Sequence, residues 1–211
     1  MKKGYLPLLI TVIMLFAAAP VLFAAGSGEK ADAGNLEKAP VAEPPAQTGP
    51  QTKTVNSDGY PPQGWVESFH EAYRIAQAEN KNILLNFTGS DWCPWCFRLS
   101  DEVFDTEEFK TYAEGNLVLL FLDFPSKLKL PEDQMRHNAS LQALLGVEGY
   151  PTVWLLGPNL EPHLRTGYQA GGAEAYISHL ENDRFDLTSQ QISDFQKGFR
   201  EGFEQLLGPL K

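Results

Sequence analysis

Cysteine is scarce in this sequence, which holds only Cys93 and Cys96. One possible internal disulfide rules out a multiply stapled scaffold, so any redox role must use that pair. Basic patches are missing too. Lys and Arg number 17 against 27 Asp and Glu, for a formal net charge of -10. No basic run interleaves with aromatics, so the footprint that holds phosphates is absent and no nucleic acid is expected as a partner. His70, His137, His163 and His179 show no paired spacing, and a zinc site lacks its second half. No metal is expected, and no motif asks for a cofactor. No internal repeat is visible.

Large apolar side chains are also nearly missing between Gly26 and Gly64, where Pro40, Pro44, Pro45, Pro50, Pro61 and Pro62 accumulate. Residues 26–64 therefore read as a flexible linker that cannot bury enough to order itself. Before it, Lys2 and Lys3 precede the apolar stretch Leu6 to Phe23 and the small residues Ala24 and Ala25. Residues 1–25 read as an export signal, with cutting after Ala24 favoured over Ala25 because the latter puts Phe23 three positions upstream. The stretch is close to the ~20 residues that span a bilayer, so an uncleaved N-terminal membrane anchor is the alternative. Either way the rest of the chain is expected to be exported, periplasmic, where disulfides persist.

The folded part is predicted to occupy residues 65–187. Trp65, Phe69, Ala72, Tyr73 and Ala76 recur at helical spacing. Ile83 to Phe87 reads as a strand, Thr88 to Asp91 as a turn, and a helix starts near Cys93 with Leu99 and Val103 on one face. Asp105 with Glu108 three residues later forms a capping-box pattern for another helix. Leu117 to Phe124 suits a central buried strand. Pro131 opens a helix carrying Met135, Leu141, Leu144 and Leu145. Val153 to Leu156 and His163 to Tyr168 read as a hairpin, and Gly171-Gly172 leads into a helix. The order implies an α/β fold, a mixed sheet with helices on both faces. Residues 188–211 form an extra C-terminal amphipathic helix, with Ile192, Phe195, Phe199, Phe203 and Leu206 on one side, expected to pack on its own domain.

The chemistry concentrates at Asp91-Trp92-Cys93-Pro94-Trp95-Cys96. Cysteines three apart in the first turn of a helix have Cα atoms roughly 5 to 6 Å apart, inside the disulfide range. Pro94 suits the first helical position. Free N–H groups at the helix start stabilise a thiolate, which makes Cys93 the attacking thiol, exposed, with Cys96 buried behind it to resolve the mixed disulfide. Trp92 and Trp95 are expected to rim the substrate surface. A purely structural bond would close a loop of about four residues and contribute only ~2 kcal/mol on the entropy model.

With the following Glu102-Val103-Phe104-Asp105 and with Gly149-Tyr150-Pro151-Thr152, this segment resembles the thioredoxin superfamily. It is similar in particular to exported bacterial thioredoxin-like proteins and to the C-terminal domain of the periplasmic thiol:disulfide interchange protein. The resemblance implies a thioredoxin-like three-layer sandwich and a thiol:disulfide oxidoreductase acting on cysteine-containing exported proteins, supplied by a membrane electron donor. It implies a cis peptide at Pro151 that faces the cysteines, with the backbone beside Tyr150 pairing with substrate. A disulfide-forming oxidase and a non-catalytic binding or redox-sensing module are the alternatives. The sequence departs from the family in two places. Pro-Trp stands between the cysteines, and Asn86 stands close to the place where thioredoxins carry a buried proton-accepting acid, with the turn after it one residue longer. Asp91 is the nearest carboxylate and reads as a turn or cap residue.

Overall fold

The computed structural model describes residues 60–210. The proposed signal or anchor and the linker up to residue 59 lie outside them. Tyr60, at the end of the stretch read as linker, packs its ring edge on Phe121 with centroids 5.6 Å apart.

Chain order is β1 (Trp65–Val66), α1 (Phe69–Glu79), β2 (Asn82–Thr88), α2 (Pro94–Leu99), a π-helical turn (Ser100–Phe104), α3 (Glu107–Asn116), β3 (Leu117–Asp123), α4 (Glu132–Leu144), β4 (Thr152–Leu156), β5 (Pro162–Thr166), α5 (Gly172–Asn182) and α6 (Ser189–Leu207). The strands form one sheet in the order β1-β3-β2-β4-β5. β1, β3 and β2 run parallel, and β4 and β5 each pair antiparallel with their neighbour. The seven-residue β2 holds the centre, whereas the sequence pointed to the run ending at Phe124; that run, β3, is second from the edge.

Alternation along the strands splits the core in two. Ile83, Leu85 and Phe87 join Val118, Leu120 and Leu122 on one face, covered by Phe69 and Ala72 of α1, Leu141 of α4 and Phe199 and Phe203 of α6. Leu84, Val153 and Leu155 face the other way, into a cluster with Leu99 of α2, Phe109 of α3 and Tyr176 of α5. The result is a three-layer sandwich with a mixed sheet in the middle. The C-terminal helix packs on its own domain: Phe69 lies 5.2 Å from Phe199 and 5.0 Å from Phe203. Gly202 allows this approach, since a Cβ there would fall 2.6 Å from Leu144 Cδ1 of α4. Among the described residues no helix is long and apolar enough to cross a membrane.

Two local expectations are corrected. Trp65 is a strand residue, registered against Leu119, because Ser68 caps α1 and delays its start to Phe69. Thr106, not Asp105, caps α3: its extended backbone lets the hydroxyl accept from Phe109 N–H, while Asp105 closes the C-terminal end of the π turn, its N–H bonded to Ser100 O. Of the apolar residues read on the helix after Pro131, Met135 is half exposed, because the buried side of α4 runs through Asn138 and Leu141.

Candidate active site

β2 delivers the chain to a tight turn in which the N–H groups of Trp92 and Cys93 both donate to Gly89 O, at 3.3 and 3.0 Å. Position 89 admits only glycine without rearrangement, since a Cβ would meet the Trp92 indole at 2.6 Å. Cys93 then acts as N-cap of α2 with extended φ/ψ, and Pro94 follows at its first turn. The Cys93 sulfur itself accepts the Cys96 N–H, at 3.2 Å. Cys93 and Cys96 are joined in a disulfide with Cα atoms 5.2 Å apart.

Both cysteines are almost fully covered, Cys93 at 3% and Cys96 at 6% exposure. In this disulfide form the two sulfurs are therefore covered alike, and the expected exposure of Cys93 in front of Cys96 concerns the dithiol form.

Aromatic side chains flank the bond on two sides. Trp92 donates its Nε1–H to Phe124 O at 2.8 Å and sets its ring at an angle to Tyr150, centroids 5.8 Å apart. Tyr150 stacks on Phe124 at 5.0 Å, and its hydroxyl accepts from Gln142. The Tyr150–Pro151 peptide is cis. Residues adjacent to Cys93 and to Pro151, far apart in the chain, are thus brought together. Trp95 takes no part in that group; it leans instead on Tyr168, 5.3 Å away. Among the described residues no group of three or more His, Cys, Asp or Glu is arranged to hold a metal ion.

Residues 64–158 match a protein-family model described as thioredoxin-like. Disulfide bond reductase DsbH of Chlamydia pneumoniae is 36% identical over 116 residues, which make up 55% of this chain and 70% of that protein. This chain belongs to the thioredoxin-like family. Within the family, a solved DsbH oxidoreductase structure superposes with a TM-score of 0.52 at 34% identity, covering 57% of this chain and 86% of that one. Mouse spermatogenesis-associated protein 20 is 30% identical over 110 residues, which are 52% of this chain but 13% of that protein. The chemistry of this thioredoxin-like chain is that of a thiol:disulfide oxidoreductase.

Three carboxamide and carboxylate groups surround the site of this thioredoxin-like domain differently from one another. Asp91 is a loop clamp: its carboxylate accepts the N–H groups of Ser126, Lys127 and Leu128 at 2.7, 2.5 and 2.9 Å. Partial burial pushes its pKa up, but those three donors and the Lys127 charge outweigh it and hold the carboxyl below its usual range. Asn86, 5% exposed, shares the sheet face of Leu84 and leaves its Oδ1 without a hydrogen-bond partner. Asp123, 1% exposed, is the buried acid that sequence reasoning passed over. It accepts from Ser90 N–H at 2.8 Å and Ser90 Oγ at 2.5 Å, which ties the end of β3 to the turn before Cys93. Burial raises its pKa, against the pull of the Ser90 and Phe124 hydrogen bonds. One signal for it was legible: Asp123 is the single charged residue in the apolar run from Leu117 to Phe124.

Proposed function

We propose that this chain is an exported thiol:disulfide oxidoreductase that reduces or isomerises disulfides of exported proteins, with Cys93 as attacking thiol and Cys96 as resolving thiol. The observation that carries the reading is the cap geometry of Cys93. Its sulfur already accepts a backbone N–H from Cys96, and the same donor would stabilise the thiolate once the disulfide is opened. In the dithiol state the Cys93 thiolate attacks one sulfur of a substrate disulfide. A Cys93–substrate bond forms, and the other substrate sulfur leaves as a thiolate that takes up a proton. Cys96, as thiolate, then attacks the Cys93 sulfur and expels the second substrate sulfur. Two electrons pass to the substrate and the chain is left as the Cys93–Cys96 disulfide. A dithiol donor at the membrane must return those electrons for a further cycle.

Trp92, Pro94, Trp95, Tyr150 and Pro151 form the proposed substrate surface. Trp92 and Trp95, 46% and 52% exposed, supply contact area beside the disulfide. Reduction is favoured over oxidation because the matched relative from Chlamydia pneumoniae bears the name disulfide bond reductase. Export is supported by Lys2, Lys3 and the apolar stretch Leu6 to Phe23; the disulfides of the proposed substrates persist in an oxidising compartment.

The test is partner trapping. In Cys96→Ser the mixed disulfide has no intramolecular exit, so adducts of periplasmic proteins should accumulate on non-reducing gels. Cys93→Ser should give few and the double variant none. Stronger trapping by Cys93→Ser would reverse the assigned roles, and equal trapping by both single variants would remove them. The reduction potential of the pair then fixes direction: a value near that of thioredoxin supports a reductant, and one near the strong periplasmic oxidants refutes it.

A further inference from the structure

An indole exposed to the extent of Trp95 ordinarily samples several rotamers, but this one is held in place. The Arg98 guanidinium carbon lies 5.2 Å from the Trp95 ring centre and 4.9 Å from that of Tyr168. The Trp95 and Tyr168 rings are themselves 5.3 Å apart. Glu102 locks the arrangement from below. One carboxylate oxygen accepts from Arg98 Nε and Nη2 at 3.0 and 2.9 Å, and the other accepts the Tyr168 hydroxyl at 2.5 Å. The Tyr168 hydroxyl bond, offset by partial burial and joined by Arg98, keeps the Glu102 carboxyl below its usual range, so the unit stays intact at neutral pH.

The loop that carries Tyr168 is itself anchored. Gly167 lies so close to the Pro151 segment that a Cβ would fall 2.9 Å from the Pro151 carbonyl oxygen. Tyr176 of α5 donates its hydroxyl to Gly167 O at 3.2 Å. The helix that bears the cysteines is therefore tied, through one carboxylate and one tyrosine, to the loop that rests on Pro151.

Charge decides what this surface can take. Arg98 is already neutralised by Glu102, so an anionic group would have to displace an existing ion pair and gains little. What is left for a ligand is ring face and the apolar edge of a stacked guanidinium, which suits aliphatic and aromatic side chains. Trp95 stands two residues after Cys93 in the chain, so a substrate side chain that reaches it lies close in sequence to the target cysteine.

We propose that Trp95, Arg98, Tyr168 and Glu102 form a preset subsite for an aliphatic or aromatic side chain near the target cysteine of a substrate, and that it selects among protein disulfides. The inference rests on the oxidoreductase reading above, in which the substrate docks beside Cys93. Within the unit Glu102 is a positioning residue, since it acts through Arg98 and Tyr168.

The experiment compares three disulfide-linked peptides that differ only at the second residue from the cysteine, with Phe, Ser or Glu there, alongside bis(2-hydroxyethyl) disulfide. Wild-type kcat/KM should be about 3- to 10-fold higher for Phe than for Ser, with the difference in KM. Tyr168→Ala should bring that ratio close to one, while Tyr168→Phe, which keeps the ring and loses the bond to Glu102, should retain part of it. Trp95→Ala serves if Tyr168→Ala does not fold, and should also abolish the ratio. Equal kcat/KM for the Phe and Ser peptides in the wild type, or a preference for Glu, overturns the subsite while turnover of the small disulfide keeps the underlying chemistry. A fall in kcat by the same factor on all peptides in Tyr168→Ala also overturns it, because the clamp would then serve only the cysteine helix. Absence of turnover on every disulfide overturns the oxidoreductase reading beneath it.

Discussion

Asn86→Asp tests how dry the sheet is beneath the cysteine helix. Position 86 is 5% exposed in the central strand, registered between Phe121 of β3 and Val153 of β4. Its Oδ1 has no partner, so a carboxylate introduced there meets no donor at that oxygen to offset its lost hydration. Desolvation alone should raise the pKa of the new carboxyl, and about 3 units is a moderate value for so buried a group. At about 1.4 kcal/mol per unit, the charged form costs roughly 4 kcal/mol. The sign follows from linkage. With the folded pKa above the unfolded value of about 4, both states are protonated at lower pH and the cost is small. Stability is then lost as pH rises from about 4 through the folded pKa near ~7, and the full penalty applies above it. Urea unfolding of the disulfide form, wild type against Asn86→Asp, should show a difference that grows by about 4 kcal/mol between pH 4 and pH 8. A difference that stays constant across that range would mean the pocket is wet or holds a compensating donor, and the reasoning from burial would fail.

Asp91→Ala should cost about 1 kcal/mol, because three backbone donors lose a carboxylate acceptor that water partly replaces; thermal melts and amide exchange at Ser126 to Leu128 would read it, and unchanged exchange there would refute the clamp. Phe203 is fully buried against Phe69 and Phe199, so Phe203→Ala should cost about 3 to 4 kcal/mol in urea unfolding. A loss below ~1 kcal/mol would detach α6 from the cooperative unit. His137 accepts the Phe69 N–H on Nε2 and faces Asn138 Oδ1 with Nδ1, which assigns the neutral form with its proton on Nδ1. Burial holds its pKa below the usual histidine value, helped by nearby His70. Stability should therefore be full above pH ~6.5 and fall as the unfolded chain takes up the proton first, at up to about 1.4 kcal/mol per pH unit. His163, also lowered mainly by burial, adds the same sign. His137→Gln should flatten this slope in part, and an unaltered slope would contradict the assignment.

Much of this protein is legible in local pattern, and the misses share one cause. Short, nearly continuous apolar runs marked β2, β3 and β4, and the Cys-Pro-Trp-Cys segment after a turn marked the start of α2. Arg98 and Glu102 stand at the four-residue spacing of a helical ion pair, but their partner Tyr168 lies 66 residues from Glu102 in the chain. Trp65 followed the helical period yet pairs as a strand, because the edge of β3 offers it backbone partners and the Ser68 cap excludes it from α1.

Apart from β1, the order of the elements could be read from the sequence, as could the two-faced sheet, the amphipathic C-terminal helix and the placing of both cysteines at a helix start. These depend on residue period, capping and turn chemistry within a few neighbours. Only the tertiary structure decided that Asp123 is tied to the turn before Cys93, that Asn86 keeps an unpartnered oxygen, that both bonded cysteines are covered, and that Trp95 is clamped to a distant loop. Each of these is set by which groups from remote segments share one small volume and exclude water from it, and no local period encodes that.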